Sequence, residues 1–172
     1  RINAALAAQL GELEHVILAG FTHRLVVELS ERLAALAPGA LGHAFYGSDG
    51  AAATEIALKM AFHYWKNLGR PDKTAFLSLA GAYHGDTVGA VSLGHIELFH
   101  KAYGGLLFPT DKVMAPYCYR CPFNRAQPER ADAREYRKCN WECVGKVEQR
   151  FRTQKKRGNA YAQEKKYREA TV

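Results

Sequence analysis

No apolar run in this 172-residue sequence approaches the length that crosses a membrane, and no secretory leader opens it. Neither a membrane span nor export is therefore expected. The default setting is the cytoplasm, where the four cysteines stay reduced. There is no internal repeat, and no low-complexity tract before the C-terminal stretch, so the 48% hydrophobic content is expected to serve one ordinary globular core. The first residue is Arg1 and not a methionine, and the expectation is a piece of a longer chain.

Acidic residues are scarce in one place only. Arg120–Val172 holds 15 Lys and Arg against 7 Asp and Glu, whereas the first 119 residues hold 9 against 10. The net charge of +7 thus belongs to a terminal segment, and the remainder reads as a neutral, enzyme-like domain. Charge of this distribution does not by itself make a nucleic-acid binder.

Apolar spacing predicts a helix over Ile2–Leu18 and a second from a Thr22 cap to Leu36, ended by Pro38-Gly39. Ala44-Phe45-Tyr46 reads as a short strand leading through Gly47-Ser48-Asp49-Gly50 into a long helix, with Asp49 as its N-cap. On that helix Ala53, Ile56, Ala57, Met60, Phe62 and His63 share one broad face. Gly69–Asp72 ends it. Thr74–Leu79 and Lys112–Ala115 read as strands, Ile96–Tyr103 and Cys139–Arg152 as helices, and Val88–Leu93 as small-residue helix or strand. Helices interleaved with short buried strands predict an α/β fold with a mostly parallel sheet flanked by helices. Residues 1–117 are taken as one cofactor-type domain, 118–152 as a cysteine-containing insertion and helix, and 153–172 as a basic tail too poor in apolar periodicity to pack.

Four constellations stand out. The turn at Gly50 opens a helix whose first amides and macrodipole suit a phosphate, although small residues at a strand–helix turn also serve packing alone. Tyr83-His84-Gly85-Asp86-Thr87 follows a predicted strand, where ligands gather in open α/β sheets. Its aromatic ring suits a flat cofactor, and His84 has acid–base capacity; the plain alternative is a structural tyrosine with Asp86 or Thr87 capping the next helix. Cys118-x-x-Cys121 and Cys139-x-x-x-Cys143 have paired spacings that zinc sites use, against four reduced cysteines in an insertion. Basic residues with interleaved aromatics around Tyr119 and Trp141 open a nucleic-acid reading, against a solvated surface.

Three stretches taken together, Arg1–His23, Gly47–Trp65 and Ala82–Leu93, resemble the class III pyridoxal-phosphate-dependent aminotransferases of fold type I. The likeness covers about residues 1–122 well and extends loosely to about 150. The forms LKM-x-x-x-YW and YHGDT-x-GA resemble the branch of that class that serves biotin synthesis. The resemblance implies a large-domain piece of such an enzyme, a homodimer when intact, working on a small-molecule amino donor and a keto acid acceptor. For that branch these are S-adenosylmethionine and 8-amino-7-oxononanoate; another ω-amino donor is the alternative.

By resemblance, Gly50 and Ala51 stand where the family's Gly-Ser pair holds the cofactor phosphate through backbone amides. Alanine in place of serine keeps the amide and loses the hydroxyl. Ala52 offers a further amide, Tyr83 matches the aromatic residue that packs on the pyridine ring and lines the substrate site, and Glu55 matches a family position without an assigned chemistry. The resemblance places the family's cofactor-carrying lysine, the aspartate facing the pyridine nitrogen and the arginine facing substrate carboxylate further along such a chain. Lys59, Lys66 and Lys73 do not take the lysine's place, so no catalytic residue and no metal ligand is expected here. The rival from another class is a small basic zinc module using Cys118–Cys143 to engage nucleic acid.

Overall fold

Two short strands, β1 (Leu77–Leu79) and β2 (Asp111–Val113), pair in parallel with Leu77 opposite Asp111 and Leu79 opposite Val113. The computed structural model describes residues 1–94, 96–125 and 138–153. The expectations for the arginine-rich stretch 126–137 and for the basic tail from 154 lie outside these residues. A parallel pair requires a crossover, and here it carries α4 (Val88–Gly94), α5 (Glu97–His100) and a 3-10 turn at Lys101–Leu106. The parallel α/β expectation holds.

The chain divides into two compact units, Arg1–Tyr46 and Gly47–Val172. In the first, α1 (Ile2–Leu10) stops well short of the predicted Leu18, because Gly11 closes it and Glu12 and Leu13 turn back to the Gln9 carbonyl. α2 (Arg24–Leu36) starts at a His23 cap, one residue beyond the expected Thr22. Its Ser30 hydroxyl lies 2.8 Å from the Tyr46 hydroxyl. Ala44–Tyr46 is not a strand: a strand exists only with a neighbour to pair, and β1–β2 is the one ladder among the described residues.

In the second unit α3 (Gly50–Asn67) carries the Asp49 cap that the sequence predicts. Its inward side is not the predicted one. Leu58 is buried, with Ala51, Ala52, Thr54, Glu55 and, from the predicted face, Ile56 partly so, while Met60 and Phe62 are 48% and 45% exposed. Apolar residues surround this helix, so spacing alone does not select a face; contact with α4 does. The buried apolar residues among those described are Leu58, Ala90, Val91 and Val113. They lie on α3, α4 and β2, which places the core around α4. A further helix, α6 (142–153 among the described residues), is tied back through Arg150 to Asp111 at the start of β2.

Candidate cofactor site

Two segments meet at the site: the first turn of α3 and the loop that leaves β1. Asp49 is extended at φ −158° and its carboxylate accepts the Ala52 amide at 2.8 Å, with the Ser48 hydroxyl at 3.1 Å. The Ala52 hydrogen bond chiefly, and then Ser48, hold the Asp49 carboxyl below its ordinary value. Gly47 is required at this entrance, since a Cβ there would stand 2.9 Å from the Ala53 nitrogen. A Cβ built on Gly50 meets nothing within 4 Å beyond its own turn.

The loop Ala80–Thr87 lies directly on that helix end. Gly85 has φ +112°, and a Cβ on it would collide with Ala51, so glycine answers both the backbone conformation and the close approach. One residue before, the His84 carbonyl is 3.5 Å from the Thr54 hydroxyl. Gly94 lets the same loop close from the other side, because a Cβ there would lie 2.7 Å from the Ala82 carbonyl oxygen. The loop that carries Tyr83 is therefore fixed to α3 at Gly85 and to the end of α4 at Gly94, and Tyr83 itself is 57% exposed. Its hydroxyl donates to Asp86 Oδ2 at 2.7 Å, which raises the phenol above its ordinary value. The Asp86 carboxyl is lowered first by this bond and then by His100, whose Nε2 is 3.2 Å from Oδ1.

Glu55, to which the resemblance assigns no chemistry, has a structural role. Its Oε1 accepts the Thr87 hydroxyl at 2.6 Å and the amides of Gly89 and Ala90 at 2.7 and 3.3 Å. Glu55 thus caps α4 from another helix, while Thr87 accepts the first helical bond from Val91 at its carbonyl. A side chain on Gly89 would fall on the Glu55 carboxylate. At the other end, Ser78 and Thr110 donate to the Leu93 and Ser92 carbonyls, each at 2.7 Å. Lys112 donates to both carbonyls and, at 2.9 Å, to Ser78, its partner in the β register. Burial pushes the Lys112 ammonium down from its ordinary value. An acid at the N-terminus and a base at the C-terminus match the α4 macrodipole. The signal available in sequence was a glutamate and a lysine flanking a run of small residues, but nothing local joins them.

Among the described residues, the remaining candidates have their partners elsewhere or lie exposed. Lys73 stands over the Trp65 ring at 4.5 Å, and Lys59 and Lys66 are exposed on α3. Cys118, Cys121, Cys139 and Cys143 are free thiols, partly exposed. Among the described residues, no three His, Cys, Asp or Glu side chains form a group able to hold a metal. No described helix is long and apolar enough to cross a membrane.

The Aminotransferase class-III family model matches residues 1–149. An adenosylmethionine-8-amino-7-oxononanoate aminotransferase of Geobacter sulfurreducens is 47% identical over 147 residues, covering 86% of this chain and 31% of that protein. The crystal structure of the Methanocaldococcus jannaschii enzyme of the same name superposes with a TM-score of 0.64 at 39% identity, over 70% of this chain and 27% of that one. A pyridoxal-phosphate-bound amine transaminase from an uncultivated Pseudomonas species gives a TM-score of 0.66 at 32% identity, over 88% and 33% of the two chains. The chain spans about a third of the length of these relatives, and its fold is that of the corresponding part of fold type I transaminases. This chain belongs to the class III aminotransferases.

Proposed function

We propose that this chain is the part of an aminotransferase that seats pyridoxal phosphate. The whole enzyme, in this reading, is a cytoplasmic homodimer that moves an amino group from S-adenosylmethionine to 8-amino-7-oxononanoate in biotin synthesis. The observation that supports it best is the contact of Gly85 with Ala51, which brings the loop of an exposed tyrosine against a helix N-terminus.

The residues present fit the cofactor. The Gly50 and Ala51 amides and the macrodipole of α3 hold the phosphate, and neither residue brings a bulky side chain to the seat. The Ala52 amide is already engaged by Asp49 and the Ala51 amide also bears on that carboxylate, so their part in the seat requires the Asp49 carboxylate to yield to the phosphate. The Tyr83 ring packs on the pyridine, and its hydroxyl, tied to Asp86, keeps its proton and orients the ring rather than acting as a base. When bound, pyridoxal phosphate supplies the electron sink for moving the amino group. Lys112 is committed to α4, Lys73 stands over the Trp65 ring, Lys59 and Lys66 are exposed on α3, and the resemblance places the cofactor-carrying lysine further along such a chain. The 172-residue chain alone is therefore expected to bind the cofactor reversibly and to show no transamination.

Titration of the chain with pyridoxal phosphate, followed by cofactor absorbance, tests this. Binding that Tyr83→Ala weakens by about 3- to 10-fold, the worth of one stacked ring, supports the proposal. Absence of binding at millimolar cofactor, or turnover of amino donor by the chain itself, refutes it.

A further inference from the structure

Tyr83 is exposed, yet the far end of the chain of contacts that holds it is buried. The Asp86 side chain is 73% exposed and sits in a glycine-hinged loop, whereas that of His100 is 4% exposed. His100 closes α5 from within, its Nδ1 accepting the amide of Ile96 at 2.9 Å. An accepting Nδ1 carries no proton, so the neutral ring has its proton on Nε2, and Nε2–H is the donor to Asp86 Oδ1 at 3.2 Å. The second carboxylate oxygen accepts the Tyr83 hydroxyl. Among the described residues, the titratable groups facing Asp86 are Tyr83 from its own loop and His100 from α5. Donors on both oxygens leave the carboxylate one orientation; with one donor it turns about its terminal bond and is drawn to water.

We infer that His100 is a positioning residue: through Asp86 it holds the Tyr83 phenol, and hence the ring that faces the cofactor, in a fixed orientation. The statement about the cofactor rests on the function proposed above; the statement about the three side chains does not. The relay runs from the α5 backbone at Ile96, through His100 and Asp86, to an exposed ring. It couples the middle of the crossover, at α5, to the loop that carries Tyr83.

The test is carbon-13 NMR of the full chain, labelled at Asp Cγ and Tyr Cζ, in two variants of similar size. His100→Gln keeps an N–H donor near the Nε2 position and loses the acceptor for Ile96. His100→Asn keeps a polar group near Nδ1 and is too short to reach Asp86. In His100→Asn the Asp86 titration is expected to move up toward the ordinary carboxylate range and the Tyr83 Cζ signal to shift. His100→Gln is expected to preserve both, even if the two variants lose similar stability. Equal changes in the two variants, or no change in His100→Asn, would overturn the inference. Should both unfold, Asp86→Asn provides the second measurement at an exposed site. The Tyr83 phenol should then fall toward its ordinary value and the His100 nitrogen-15 signals should shift; unchanged His100 signals would overturn the relay. Cofactor uptake plays no part in these readings. A chain that fails to bind pyridoxal phosphate therefore refutes the proposed function and leaves the relay to stand or fall on the NMR.

Discussion

α1 and α4 are both short helices, of nine and seven residues, and they are built in opposite ways. α1 buries no residue and has no side-chain cap, and Ile2, Leu6 and Leu10 are 76%, 59% and 61% exposed. α4 buries Gly89, Ala90, Val91, Ser92 and Gly94, and side chains from α3, β1 and β2 satisfy both of its ends. Isolated helices of this length are marginal in water, so each must be held by something else. For α4 that support lies within its own unit, as cross-element caps and small-residue packing. The apolar residues of α1 receive no such cover within theirs. Covalent continuity is thus no guide to which helix is self-supporting.

The caps of α4 are the first place to break the contrast. Glu55→Ala leaves the Gly89 and Ala90 amides without their acceptor and should cost about 2–3 kcal/mol, the range for hydrogen bonds to a charged group; urea unfolding of the chain measures it. Gly89→Ala should be comparably harmful by displacing the same carboxylate, and Glu55→Gln, which keeps an acceptor, should be milder. At the opposite end Lys112→Met removes a donor to the Ser92 and Leu93 carbonyls and should cost about 1–2 kcal/mol in the same assay.

A smaller effect separates Lys112 by pH. Its ammonium is lowered from the ordinary value of 10.5 by burial, so between the folded value and 10.5 the unfolded chain binds more protons. Stability then rises with pH through that window, as the burial penalty on the charge is relieved, and Lys112→Met should flatten the rise. Asp49 and Asp86 give a slope of the same sign at low pH. Both are held below 3.8 in the folded chain, so their stabilisation is present above that value and is lost as pH falls through the folded ones. The smallest change belongs to α1: Leu6→Ser in this chain should alter stability by no more than about 0.5 kcal/mol, because the side chain is exposed.

What was legible in the sequence follows the same division between local and distant causes. The Asp49 cap and the extent of α3 depend on residues within a few positions, and both were read correctly. The parallel pairing of β1 with β2 followed from strands separated by helical sequence. The extension of α1 to Leu18 failed because spacing at Leu13 and Ile17 outweighed the break at Gly11. The inward side of α3 failed because α4, and not the helix's own pattern, selects it. Glu55 escaped assignment because its partners are 32 to 35 residues away, and His100 because it reaches Tyr83 only through Asp86. The family motifs placed Gly50, Ala51, Ala52 and Tyr83 on two adjoining segments, but the prior engagement of the Ala52 amide became visible only in three dimensions.

The central claim is that the N-terminal end of α3 is a phosphate seat, and Gly50→Pro tests it most directly. Gly50 is the first residue of the helix, where proline is tolerated, and the preceding Asp49 is already extended, as a residue before proline prefers. The substitution therefore removes one amide donor and leaves the helix. Pyridoxal phosphate affinity, read by phosphorus-31 NMR titration, is expected to fall by about 10-fold or more with helicity unchanged, the worth of one hydrogen bond to a charged group. Unchanged affinity in a folded Gly50→Pro chain would contradict the account.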